Sequence, residues 1–308
     1  MVKMEGNHRN NLIGGMLMVL SMAAFSVEDA FLKVIAETLP VGQILIIFGL
    51  IGAAVFTCAA KLNKDRLFPK EVLSKPMRIR VLFEVLGRLF YMLAIALTPL
   101  SSATVILQAT PVVVVAGAAL VFGEKVGMQR WGAIFVGLLG VVIIIGPGTD
   151  SFSLLSVFAV LGVLGFAGRD LASRAAPANL SIFILGVYGF LSVVIAGGLF
   201  SMWDEAAFVR PNIDTYMYLA GSVFAGVVAY AGLMTAMRTG DVSAVTPFRY
   251  TRLLFGVGLG VLLFGEQLTL AMWAGSGLIV MSGLFILWQG KASKSTPHPG
   301  PLQTPPHL

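Results

Sequence analysis

The sequence predicts an all-α membrane protein: ten transmembrane helices arranged as a 5+5 inverted-topology repeat around a central cavity. Three observations predict it. The 308-residue chain is 57% apolar and 12% charged, with a mean hydropathy of +0.89, whereas soluble domains carry about 25% charged residues. Ten apolar runs approach the roughly 20 residues that a helix needs to cross a bilayer. Two segments, FGEKVGMQRW at Phe122–Trp131 and FGEQLTLAMW at Phe264–Trp273, repeat with Glu124 and Glu266 142 positions apart. A duplicated unit with an odd number of helices places its two copies upside down relative to each other, a recurring plan of secondary transporters.

The runs lie at about 11–35, 41–60, 81–98, 102–121 and 129–146, then 153–174, 181–202, 215–236, 243–263 and 270–288. The first follows MVKMEGNHRNN without a small-residue cleavage site, so it reads as a start-transfer helix and not a removed signal peptide. Most connections are short, such as Pro99-Leu100-Ser101. Two are longer: 61–80 carries Lys61, Lys64, Arg66, Lys70, Lys75, Arg78 and Arg80, and 203–214 carries Asp204, Glu205, Asp214 and one base, Arg210. The segment 289–308 is polar and Pro-rich, and is expected to be a disordered tail.

Charge placement orients the chain. Lys3, Arg9, the 61–80 loop, Lys125, Arg130, Arg174, Arg238, Lys291 and Lys294 all fall on one side. The positive-inside rule makes that side cytoplasmic, with both termini there and the protein in the inner membrane. The Glu124 loop has basic flanks and the Glu266 loop has none, the opposite bias that inversion requires. The repeat continues elsewhere. Phe25, Asp29 and Lys33 align with Phe166, Asp170 and Arg174 at offset 141, and Ser101 and Thr104 with Ser243 and Thr246 at offset 142. The units are therefore 11–146 and 153–288, with ten helices enough to enclose a cavity within a monomer.

Several functions are excluded by what the chain lacks. One cysteine, Cys58, offers neither a disulfide framework nor a metal cluster. The net charge of +6 collects in loops, so it does not point to nucleic acid. Gly256-x-Gly258-x-Gly260 sits mid-helix with no strand before it, so it is read as helix contact through Gly256 and Gly260 and not as a dinucleotide site. No Walker-type loop or nucleophile–base constellation is present, so the sequence predicts neither an enzyme nor a cofactor, and transport would be facilitated or driven by a gradient.

The candidate site is a set of intramembrane charges. A charged residue at the bilayer centre costs about 2.5–3.5 kcal/mol on insertion scales. This chain has Glu28, Asp29 and Lys33 in run 1, Glu84 and Arg88 in run 3, Arg169, Asp170 and Arg174 in run 6, and Arg249 and Arg252 in run 9. An aqueous cavity lined by these four runs would offset the cost. Lys33 and Arg174 are close enough to helix ends to snorkel. Arg249 and Arg252 share a face after Pro247 and suit a carboxylate or phosphate, or else pair with Glu28, Asp29 or Asp170. Glu84 and Arg88 have the i,i+4 spacing of an intrahelical pair, or else form a gate or substrate contact. Of the adjacent Glu28 and Asp29, which point about 100° apart, Asp29 is expected to face the cavity, where a carboxylate binds an amine or shuttles a proton. Gln108, Tyr91, Tyr230 and Tyr250 are candidate polar or aromatic wall. Glu124 and Glu266 read as turn or capping residues, and Trp131 and Trp273 as structural companions of their loops.

The doubled unit, each copy closing with a helix, a short Gly-Glu loop and a Gly-rich final helix, resembles the EamA-type ten-helix members of the drug/metabolite transporter superfamily over about residues 11–290. The resemblance implies the 5+5 inverted fold, a cavity formed largely by helices 1, 3, 4, 6, 8 and 9, and movement of small metabolites. With the mixed charges it leads to the expectation of a small polar substrate, best an amino acid or related zwitterion, moved by alternating access with a proton or other coupling ion. An anionic or cofactor-like metabolite such as a nucleotide or vitamin, a broad drug exporter, and a non-transporting membrane sensor or enzyme are the alternatives.

Overall fold

Proline and glycine punctuate the helices of this chain, and the computed structural model follows that punctuation over residues 2–123, 127–146, 153–175, 177, 179–239 and 245–294. Helix α1 spans Val2–Ala36, and α2, Val41–Leu62, starts after the extended Pro40. Helix α3, Lys75–Leu97, carries a proline in its first turn, where the missing N–H costs nothing, and stops at Thr98, which the following Pro99 holds extended. Then come α4, Leu100–Leu107, α5, Thr110–Phe122, and α6, Met128–Ile145. The second half holds α7, Ser156–Arg174, α8, Ile182–Trp203, α9, Ile213–Thr239, a 3₁₀ turn at Thr246–Tyr250, α10, Thr251–Phe264, and α11, Leu270–Lys294. Helices α5, α6 and α10 end on Gly123, Gly146 and Gly265, whose φ angles of 60–64° are the left-handed turn that closes a helix.

The fourth run differs from the single helix expected. Pro111 withholds the amide that Leu107 O would accept, and Thr110 Oγ1 donates to that carbonyl instead, at 2.6 Å. The amides of Gln108 and Ala109 reach back only three residues, to Val105 O and Ile106 O. The helix therefore tightens at Gln108–Ala109 and divides into α4 and α5. Helix α11 runs through Lys294, so 289–294 is helical where a disordered tail was expected, and 295–308 lies outside the described residues, as does Glu124.

Six spans are long and apolar enough to cross a membrane: Arg9–Ala36, Val41–Leu62, Leu100–Val121, Ser156–Ser173, Ile182–Trp203 and Ile213–Met237. The other expected spans fall short for visible reasons. Helix α3 carries Arg80, Glu84 and Arg88, α10 has 14 residues, and the apolar parts of α6 and α11 are the shorter Trp131–Ile145 and Leu270–Ile286.

The helices pair across the two halves: α1 on α9, α2 on α8, α3 on α7, α4 on α10 and α6 on α11. Glycines permit the closest approaches. A Cβ on Gly140 of α6 would stand 2.7 Å from Gly275 O of α11, and one on Gly42 of α2 would stand 3.0 Å from Gly197 O of α8. Two apolar clusters result, one of Leu32, Phe48, Phe56, Phe190 and Tyr230, the other of Tyr91, Ile95, Ile106, Phe166, Tyr250 and Ile279. Large apolar side chains such as Leu50, Leu120, Phe135, Leu199, Phe224 and Leu262 cover the outside, and Trp131 and Trp273 are exposed there too.

Candidate functional site

Helix α3 places Arg80, Glu84, Arg88 and Tyr91 at spacings of four, four and three, one continuous face. That face meets α1 on one side and α7 on the other, and the charges of three helices converge on it. Near mid-span, both carboxylates of α1 are buried, Glu28 at 0% and Asp29 at 1% exposure. Glu28 Oε1 lies 2.8 Å from Arg88 Nη1. Asp29 Oδ2 lies 2.6 Å from Arg252 Nη2 and accepts the Tyr91 hydroxyl at 3.0 Å. The guanidinium of Arg88 sits over the Phe48 ring, and that of Arg252 over Phe25 and Tyr91.

A second layer lies closer to the α2–α3 loop. Asp170 accepts from Arg169 Nη2 at 2.8 Å and from Arg249 Nη1 at 3.3 Å. Arg169 Nη1 also reaches Glu84 Oε1 at 3.2 Å. Arg80 Nη2 lies 3.5 Å from Glu84 Oε2 and donates to Tyr230 Oη, while Arg80 Nε donates to Ser173 Oγ. One part of this layer is wetter: the side chains of Arg169, Asp170 and Arg249 are 17–23% exposed, against 13% for Arg88 and Arg252, whereas Arg80 and Glu84 are only 3% and 7% exposed.

Four sequence expectations change here. Glu84 and Arg88 do not pair with each other, because each has a cross-helix partner. Glu28 and Asp29 both point inward, since α3 and α10 approach α1 from different sides and each brings an arginine. Arg80, counted with the basic loop, is buried at 2% exposure because α3 begins at Lys75, well before the apolar run. Its i,i+4 spacing to Glu84 was the available signal. Tyr250 turns its ring toward Gly283 of α11, and its hydroxyl is buried without a hydrogen-bond partner among the described residues.

The remaining candidates bind backbone. Gln108 Nε2 donates to Tyr250 O at 3.1 Å and Arg249 O at 3.3 Å, tying the tightened break of α4–α5 to the 3₁₀ turn before α10. Gly256 packs on Thr104, and Gly260 on Ser101 and the Glu266 carboxylate. Glu266 accepts the Leu100 and Ser101 amides at 2.6 and 2.9 Å, so it caps α4. Lys33 Nζ donates to Ile95 O and Thr98 O at 3.2 and 2.7 Å, carbonyls at the C-terminal end of α3.

The ion pairs close the centre. Between Phe25, Glu84, Arg88, Gly189, Phe190, Val193, Gly226 and Tyr230 there remains a space of about 20 Å³, room for one water. Where the sequence led to the expectation of an open cavity, opposite charges of the described residues meet each other. The balance is uneven. The described network holds five guanidiniums (80, 88, 169, 249, 252) and four carboxylates (28, 29, 84, 170). Glu28 Oε2, Asp29 Oδ1, Glu84 Oε2 and Arg252 Nε are buried without a hydrogen bond among the described residues. Buried polar atoms are rarely left this way, and each such atom costs about 1–3 kcal/mol.

Residues 12–146 and 154–288 each match the model of the EamA-like transporter family. Among characterised proteins, the riboflavin transporter of Vibrio cholerae is 29% identical, over 70% of this chain and 72% of its own. The pseudopaline exporter of Pseudomonas aeruginosa is 29% identical over 87% and 94% of the two chains. The S-adenosylmethionine uptake transporter of Rickettsia prowazekii is 22% identical over 71% and 74%. A solved crystal structure, 18% identical, superposes with a TM-score of 0.62 over 91% of this chain and 97% of its own, so the fold is shared. Two matched units that span most of the chain, apolar helices of membrane-crossing length and relatives that are all transporters agree: this chain belongs to the EamA-like transporter family and is a multi-pass membrane transporter, not an enzyme.

Proposed function

We propose that this protein is an inner-membrane secondary transporter that moves a small zwitterionic metabolite, of the amino acid or amino-acid-derived class, by alternating access. One observation carries the substrate class. Among the described residues the network has one more guanidinium than carboxylate, and at the same time several carboxylate oxygens without a hydrogen bond. A substrate carboxylate answers the first and a substrate ammonium answers the second. Asp29–Arg252 and Glu28–Arg88 then act as pairs that open to take the substrate in and close on each other when it leaves. The wetter Arg169–Asp170–Arg249 layer is the side from which water reaches the pairs in this closed form.

The 5+5 inverted repeat, with units 11–146 and 153–288, is part of this reading. It is supported by the paired family matches and by the packing. Exchanging the halves carries the α1–α9 contact onto α7–α3 and leaves α2–α8, α4–α10 and α6–α11 as self-matched pairs. The cytoplasmic placement of both termini is supported by the run of bases at 61–80. A proton or other ion supplies the gradient, and a monomer is sufficient.

A planar, cofactor-like substrate is the second reading. It is favoured by the aromatic rings of Phe25, Phe48 and Tyr91 lying against the guanidiniums, and by the similarity to a riboflavin transporter and an S-adenosylmethionine uptake transporter. The test is counterflow in proteoliposomes with labelled zwitterionic amino acids, opine-type metabolites, monocarboxylates and riboflavin, with and without a pH gradient. The zwitterion reading expects saturable flux of an amino- and carboxyl-bearing compound that is lost in Arg252→Ala with insertion intact. Flux confined to riboflavin moves the assignment to the second reading, and an inert panel removes both.

A further inference from the structure

The α2–α3 connection has a composition that the transport site does not use. Lys61, Lys64, Arg66, Lys70, Lys75 and Arg78 are all exposed. Between them stand three large apolar side chains, Leu62 at 85%, Phe68 at 83% and Leu73 at 74% exposure. The acids of the same stretch are occupied by neighbouring side chains. Asp65 accepts from Ser181 Oγ and from Asn63 Nδ2, and Glu71 accepts from Asn179 Nδ2. Tyr188 Oη donates to Leu67 O, and Val72 is buried with Ala60, Met77, Leu180 and Ile184. The loop is thus held firmly against the α7–α8 turn, with its anions consumed as tethers and its cations and apolar groups presented outward.

We propose that this surface is seated on the anionic leaflet of the bilayer, with Phe68 and Leu73 inserted at the headgroup level and the six cations on lipid phosphates. Interleaved bases and exposed large apolar side chains are the pattern of an interfacial segment, and clustered bases beside a membrane span attract anionic lipid. A fully solvated loop has no use for an 83% exposed Phe68 fixed in place by four flanking tethers. The tethers also give the contact a consequence. Asn179 and Ser181 follow α7, which carries Arg169, Asp170 and Ser173, and the loop leads directly into Arg80 of α3. Lipid seated on the loop therefore holds both strands of the chain that supply the wetter ion-pair layer.

The experiment does not need the substrate. The full-length protein is reconstituted in phosphatidylcholine vesicles containing about one-third phosphatidylglycerol, with trace spin-labelled phosphatidylglycerol or spin-labelled phosphatidylcholine, and the immobilised lipid fraction is read by electron paramagnetic resonance. The expected result is a preference for phosphatidylglycerol over phosphatidylcholine that falls by at least about threefold when salt is raised to about 0.5 M. The double variant Arg66→Gln, Lys70→Gln, which leaves the other four cations to maintain topology, lowers the same preference, and Phe68→Ser lowers the immobilised fraction of both lipids. Equal immobilisation of the two labelled lipids, or a preference unchanged in the double variant, overturns the proposal. Neither outcome bears on the zwitterion reading, which rests on flux.

Discussion

Arg88→Leu should be the most damaging single change in the charge network. Glu28 is fully buried, its Oε1 lies 2.8 Å from Arg88 Nη1, and its Oε2 has no hydrogen-bond partner among the described residues. At an effective dielectric near 20 the bare attraction at that distance is about 6 kcal/mol, from which the cost of dehydrating both ions is subtracted. What remains after loss of the arginine is an unpaired buried carboxylate, and breaking buried pairs in this way costs about 3–5 kcal/mol. The double variant Glu28→Gln, Arg88→Leu removes the stranded charge and should recover most of that loss. Arg249→Leu is the control. Its partner Asp170 keeps Arg169 at 2.8 Å, and both members of the Arg249 pair are over 20% exposed, so the expected cost is about 1 kcal/mol or less. Reversible unfolding in mixed detergent micelles, with Glu28→Gln alone completing the double-mutant cycle, measures these stabilities. The reasoning fails if the double variant is no more stable than Arg88→Leu, or if Arg249→Leu costs as much as Arg88→Leu.

Two further outcomes are expected. Glu266→Ala removes the acceptor of the Leu100 and Ser101 amides, a cap worth about 1–2 kcal/mol; hydrogen exchange should speed up at those two amides first, and unchanged protection there would contradict the capping role. Outside the spans, the backbone amide of Glu71 and the side-chain amide of Asn179 hold the Glu71 carboxyl below its ordinary value of 4.5. A lowered carboxyl pKa means that the loop tether is complete above that ordinary value and is lost as pH falls through the lowered one. Asn179→Ala should shift the Glu71 titration, followed by carbon-13 NMR, back upward, and an unmoved titration would dismiss the tether.

Much of the site was legible because charges in apolar runs are conspicuous. Glu28, Asp29, Arg88, Asp170 and Arg252 stand out without any knowledge of the fold, and they do meet. What could not be read was who meets whom. The i,i+4 spacing of Glu84 and Arg88 is a local fact, whereas the reach of Arg169 to Glu84 depends on how α3 and α7 are rotated where they touch. Arg80 was hidden by its neighbours: in sequence it ends a basic loop, in space it lies one turn below Glu84. The divided fourth run was foreshadowed by Pro111, but the rescue of Leu107 O by Thr110 is a side-chain detail that an apolar periodicity does not carry.

The turn at Thr98-Pro99-Leu100 has two hands on it, Lys33 on the carbonyls that end α3 and Glu266 on the amides that begin α4. Pro99 prevents these groups from satisfying one another as a continuous helix would. If either side chain let go, the carbonyls or amides it now satisfies would be left without a partner unless water arrived at the same time. Loosening this turn is therefore tied to hydration: it opens wet or stays shut.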